Sequence, residues 1–294
     1  MSWSKGIAEW QDGNTLYLSV VFTWQLTEAY SRAVFARSMG MKVIAGGAAL
    51  FHPRMRKELQ DVAEIGLHYP DAIRYHNPDA TIASRGCPVG CWFCIVPAME
   101  GRQFTLLPDF PVRPVLCDQN LSGLPVEYQE HIIKRYQDEG VPLLDANSGF
   151  EPLTFDDDCF NRWKAINKGV WRFAYDEMKE REQVLRVMKM MRGVNQNLKR
   201  VYVLIGNEPF DVCMDRIKEA IANDCLPHVQ PFMKLTTLRR IPHARFDWTV
   251  QKLRDVARWA NRKLWKQCEF KDYQRSYKKP TDRLKYDAVQ GLFI

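Results

Sequence analysis

A chain of 294 residues, 46% hydrophobic and 26% charged, has the length for one large core or two modest ones and an ordinary globular composition without repeats or low-complexity stretches. The first ten residues hold no long apolar run, and the stretch from Leu16 to Trp24 is too short to cross a bilayer, so neither a signal peptide nor a membrane span is expected and a reducing cytoplasm is. Net charge is +7 but uneven: 15 basic and 5 acidic residues lie between Arg239 and Lys285, against 27 and 30 elsewhere.

In chain order, residues 1–78 read as a separate piece. Leu16–Phe22, Leu26–Met39 and Lys42–Ala45, followed by Gly46-Gly47, predict strand, helix, strand and glycine turn, a small Rossmann-like βαβ unit. From Ala80 onward, short β-rich runs alternate with helical patterns, which predicts parallel βα units over residues 79–238. The six predicted strands are Ala80–Ser84, Pro114–Asp118, Pro142–Asn147, Val170–Tyr175, Arg200–Gly206 and His228–Met233. A helix is expected from Pro125 to Glu139, with Tyr128, Ile132, Ile133 and Tyr136 inward and Gly140 as its stop. Another is expected from Glu180 to Arg192, burying Val184, Met188 and Met191. Residues 239–294 are expected to form a basic helical extension. There Val250, Leu253, Ala257, Ala260 and Leu264 predict one apolar face between Asp247 and Lys266. Arg254, Arg258, Arg262 and Lys266 then fall on one exposed ridge, with Trp259 and Trp265 beside it, a pattern suited to phosphates and unpaired bases. A solvated face with core-packed tryptophans is the competing reading.

The chemistry concentrates in the loop after the first of the six strands, where Cys87, Cys91 and Cys94 follow a C-x3-C-x2-C spacing with Phe93 before the third thiol. Zinc usually takes four protein ligands, but no second cysteine pair accompanies these three and the nearest histidine, His76, lies upstream. A disulfide does not suit a reducing compartment. Cys117, Cys159, Cys213, Cys225 and Cys268 are scattered and read as small core residues, Cys213 sharing an apolar helical face with Ile217, Ala220 and Ile221. Three thiolates can hold three corners of an iron–sulfur cube and leave the fourth iron open.

This motif resembles that of the radical SAM superfamily. The resemblance implies a 4Fe–4S cluster on Cys87, Cys91 and Cys94, S-adenosylmethionine (SAM) on the open iron, and reductive cleavage to a 5′-deoxyadenosyl radical. It implies an incomplete (β/α)6 barrel, and an electron donor such as flavodoxin or ferredoxin. By position, Asp118 and Asn120 are candidates for the SAM amino group, Asn147 and Arg172 for its carboxylate, and Asp176 for the ribose. Phe93 and Gly206 are candidates for the adenine, the glycine allowing close backbone approach. Asp118-Gln119-Asn120 stands where the superfamily usually has Gly-Gly-Glu, and the fifth strand keeps only Gly206 of its usual glycine pattern. The run from Gly86 to Arg102 is similar to the cluster loop of methylthiotransferases, and the chain as a whole resembles small stand-alone radical SAM proteins of bacteria and phages. The N-terminal piece resembles part of the cobalamin domain of relatives, but the D-x-H-x-x-G motif is missing around His52, so no cobalamin is expected. Two roles stay open: an enzyme modifying a substrate such as a nucleic acid, nucleotide, peptide or small molecule, or a cluster- and SAM-binding protein without turnover.

Overall fold

A computed structural model describes residues 3–66 and 71–275, and the chain divides into two compact units. One is built from residues up to Gln119 together with Lys234–Arg240, the other from Asn120–Met233 together with residues from Ile241 on. The fold is mixed α/β with parallel sheets, and among the described residues no sheet closes into a barrel. None of the described helices is long and apolar enough to cross a membrane.

In the first unit, β1 (Ile7–Asp12) pairs antiparallel with β2 (Thr15–Val20). Helix α1 (Leu26–Ser38) then crosses over to β3 (Lys42–Gly46), which lies parallel to β2 and to the short β4 (Glu64–Ile65). The predicted βαβ piece is present. Its helix buries Leu26, Ala29, Ala33 and Ala36 against Leu18, Val20, Val43 and Ala45. The sequence reading missed β1, which among the described strands pairs with β2 alone and lies at the sheet edge. Gly47, at a φ of +98°, sits so close to Val20 that a Cβ would come 2.4 Å from its carbonyl oxygen.

The first of the six predicted parallel strands is split. β5 (Ala80–Thr81) pairs in parallel with β8 (Val115–Leu116), whereas β6 (Ser84–Arg85) pairs antiparallel with β7 (Thr105–Leu106). Between β5 and β6 the Ala83 amide donates to a side chain, the Asp118 carboxylate, at 2.7 Å. That side-chain bond ends one ladder and lets the next begin with a different partner.

The second unit holds the other four strands. β9 (Leu143–Ala146), β10 (Asn167–Ala174), β11 (Lys199–Ile205) and β12 (Leu226–Pro231) lie side by side, each parallel to the next. The last begins and ends two residues earlier than the sequence pattern suggests. Helix α2 (Val126–Asp138) precedes β9 and buries the four expected residues; α3 (Asp157–Lys164) precedes β10 and is capped by Asp156, which accepts the Cys159 amide at 2.8 Å. Helices α4 (Arg181–Met190) and α5 (Phe210–Ala222) make the later crossovers. Val184, Met188, Cys213, Ile217 and Ala220 from them pack on Val201, Val203, Ile205 and Val229.

Helix α6 (Val250–Asn261) completes this core but is shorter than predicted. It starts at its Thr249 cap, and Lys263 adopts a left-handed conformation (φ +57°) that sends Leu264–Lys266 into a separate turn. Lys266 therefore does not continue the ridge of Arg254, Arg258 and Arg262. Trp259 follows the competing reading of core-packed tryptophans: it is 4% exposed, packs in the core and donates its indole N–H to the Cys268 carbonyl at 3.0 Å. Trp265 is half-buried and packs against the same core, so Trp259 offers no stacking surface beside the ridge. The basic residues beyond position 275 lie outside the described residues.

Candidate functional site

The three motif thiols, Phe93 and Asp118 belong to the first unit. Cys87, Cys91 and Cys94 are each half-buried on the loop that β6 and β7 close at its base, and no disulfide involves any of the eight cysteines. Gly86 turns the chain into the loop at a φ of +83°; a Cβ there would come 2.2 Å from the Gln103 carbonyl oxygen. The Cys87 amide donates to the Gly101 carbonyl at 3.2 Å, and the Cys94 amide to the Cys91 carbonyl at 3.0 Å. The Val96 amide points at the Cys94 sulfur, 3.4 Å away, a contact that favours a thiolate. Phe93 is half-buried and stands edge-on to Trp92, centroids 5.4 Å apart.

Among the described residues no group of three or more His, Cys, Asp or Glu side chains is gathered as a metal site. The donor chemistry nonetheless fits an iron–sulfur cluster: three soft sulfur ligands on one glycine-bent loop, none sealed in the core, one with an amide aimed at its sulfur.

Asp118 is fully buried and holds the strand that leads into this loop. It accepts the Ala83 amide at 2.7 Å and the Ser84 hydroxyl at 2.5 Å. Burial raises its pKa to about 7, against the downward pull of those hydrogen bonds and of Arg85.

The remaining candidates belong to the second unit. Asn120 is 4% exposed, and its side-chain carbonyl accepts the Gly123 amide, three residues on, at 2.9 Å. Arg172 lies on the sheet face opposite Trp171 and Phe173, as strand alternation predicts. Its guanidinium pairs with Asp145 at 2.6 Å, donates to the Tyr202 hydroxyl at 2.8 Å and reaches the Asn147 carbonyl at 3.4 Å. Arg172 Nε is buried without a hydrogen-bond partner among the described residues. Tyr202 pairs in register with His228, their rings 4.8 Å apart, and burial with Arg200 and Arg172 lowers the His228 pKa to about 4. Asp145, Arg172, Tyr202 and His228 thus form a polar row across β9–β12, one residue per strand. The sequence reading found only Arg172 of these four, because a lone Asp, Tyr or His inside an apolar strand carries no spacing signal.

Asp176 sits where β10 ends. Its backbone carbonyl accepts from Asn207 at 2.7 Å, and its carboxyl is raised to about 7 by burial and by the neighbouring Glu180. Beneath it, Arg216 is fully buried: it donates to the Tyr175 and Leu204 carbonyls and pairs with Glu208 at 2.9 Å. That guanidinium ties together the C-terminal ends of β10 and β11, another role invisible in sequence. Gly206 has a φ of +91°, and the space beside it is taken by the protein itself: a Cβ would come 3.1 Å from Leu253 and 3.3 Å from the His243 carbonyl. No protein-family model matches this sequence, and no curated protein matches it.

Proposed function

We propose that this chain is a radical SAM enzyme in which Cys87, Cys91 and Cys94 hold a 4Fe–4S cluster and the six parallel strands form the frame of an incomplete (β/α)6 barrel. The observation that carries the reading is the C-x3-C-x2-C triplet on a glycine-bent loop with half-buried thiols and an amide donor to Cys94 Sγ. When bound, such a cluster supplies an electron that splits SAM into methionine and a 5′-deoxyadenosyl radical. The chain's own contribution is to draw three thiolates onto the metal, since metal binding and the ordering of a ligand loop are coupled. Arg172 supports the SAM reading with a buried, unpartnered Nε that suits a carboxylate. Asn147 and Asp176 remain proposed SAM contacts. Asn120 and Gly206 are already engaged within their own unit, which weakens their assignment.

The test is anaerobic reconstitution with iron and sulfide, followed by reduction in the presence of SAM. About four irons per chain and accumulation of 5′-deoxyadenosine are expected. Cys87→Ala, Cys91→Ala and Cys94→Ala should each lose most of the iron and all of the deoxyadenosine. Stoichiometric zinc in the purified protein, or iron unchanged in Cys91→Ala, would overturn the cluster. A loaded cluster that yields no deoxyadenosine above the Cys94→Ala background would leave a SAM-binding protein without turnover.

A further inference from the structure

The chain that leaves the third cysteine makes one helical turn, Val96–Met99, and places Glu100 at its end, where the Glu100 amide donates to the Val96 carbonyl at 2.8 Å. From there the Glu100 carboxylate reaches back across the base of the loop. One oxygen pairs with the Arg85 guanidinium at 2.8 Å and the other accepts the Gly86 amide at 3.0 Å. Arg85 and Gly86 are the two residues immediately before Cys87. The carboxylate is only 7% exposed, so both bonds are sheltered from water, and the Cys87 amide adds a third tie to the Gly101 carbonyl next door.

We infer that Glu100 is a positioning residue for the cysteine loop, a carboxylate clamp that fixes where the chain enters before Cys87 relative to where it leaves after Cys94. The inference rests on the cluster reading above but concerns a residue outside the ligand set. Closing a loop at its base lowers the entropy that metal binding must overcome to bring its thiols together. A clamp that holds both ends at a fixed separation pre-organises the ligands for one geometry. The clamp is separable from the fold, because β6 and β7 already close the hairpin through the pairs Ser84–Leu106 and Arg85–Thr105. Removing the carboxylate leaves that ladder in place. Arg85, whose side chain is 39% exposed, can then be solvated.

The test compares Glu100→Ala, Glu100→Gln and the parent protein with three readouts. Glu100→Gln keeps an acceptor for one partner only, so it should fall between the other two. In the reconstituted protein, Glu100→Ala should lose iron to a chelator several-fold faster and give a broadened electron paramagnetic resonance signal from the reduced cluster. In the metal-free protein, iodoacetamide should modify Cys87, Cys91 and Cys94 several-fold faster in Glu100→Ala, with Cys268 in the other unit as an unchanged reference. A parent-like resonance line shape, chelation rate and alkylation pattern in Glu100→Ala would overturn the clamp, even if its melting temperature fell. Should Glu100→Ala fail to fold, Glu100→Gln and Arg85→Met decide on the same readouts. If the parent protein takes up no iron, the cluster reading fails, while the alkylation rates still judge the clamp independently.

Discussion

The carboxyl of Asp118 illustrates how single residues here carry both fold and pH dependence. Burial raises it from 3.8 to about 7 despite two hydrogen bonds that favour the charged form. Between those two pH values the folded protein keeps a proton that the unfolded chain has released, so this group's contribution to stability falls as pH rises from about 4 to about 7. The upper bound for a shift of that size is about 4 kcal/mol. Asp118→Asn mimics the protonated form, with an oxygen for the Ala83 amide and an N–H for the Ser84 hydroxyl. The variant should match the parent near pH 4 and become progressively more stable than it up to pH 7–8, as read from denaturant midpoints. A constant difference across that range would mean that Asp118 is ionised in the folded protein. His76 acts in the opposite sense. Buried between the Ser4 and Ser19 hydroxyls, it is lowered to about 4, so its contribution is lost as pH falls from about 6.5 to about 4. Parent stability should therefore change less with pH than that of Asp118→Asn.

Among the elements, the contact between α6 and the end of β11 decides what Gly206 is for. Its φ of +91° strains any residue with a side chain, and an added methyl would press on Leu253 at 3.1 Å. Gly206→Ala should cost about 1–3 kcal/mol of stability, measured by urea unfolding. Leu253→Ala should cost about 2–5 kcal/mol, because Leu253 is fully buried in the same core. If Gly206→Ala instead kept its stability and lost only SAM binding, the adenine contact would be its main role. Helices α1, α2 and α4 and most of the parallel strands were legible in sequence because they rest on local periodicity, whereas β1 and α3 were not read. Tyr128, Ile132, Ile133 and Tyr136 recur at helical spacing, and glycine follows their helix directly. The split between β5 and β6 was not legible, since it depends on a carboxylate 35 residues away in the chain. The same holds for the Arg216 tie and the Glu100 clamp, whose partners are fixed by tertiary contacts. The ridge of α6 was half legible: its apolar face was readable, but the left-handed Lys263 that ends it was not.

Over the whole molecule, positive charge collects in one segment: the remainder of the chain is slightly acidic, with 27 basic and 30 acidic residues, while Arg239–Lys285 has 15 and 5. That asymmetry is the argument for a polyanionic partner, and the structure narrows it. Trp259 is committed to the core, so a nucleic acid would find phosphate contacts on α6 but no indole of that residue to stack on. Arg254 and Arg262 are exposed, whereas Arg258 is half-buried and donates to the Arg275 carbonyl at 3.3 Å. Each phosphate neutralised contributes about 0.7–0.9 to the slope of log affinity against log salt. Replacing Arg254, Arg258 and Arg262 by Gln should therefore flatten the slope for single-stranded nucleic acid by about 1.4, the share of two phosphates rather than three. Iron content should not change, because none of the three lies on the cysteine loop. Trp259→Ala should lower stability by about 3–5 kcal/mol, the cost of emptying a buried indole site, and leave the salt slope of whatever remains folded unaltered. Binding that ignores salt, or no binding to DNA or RNA at low salt, would make the ridge a solvated helix face and move the substrate to a peptide or small molecule.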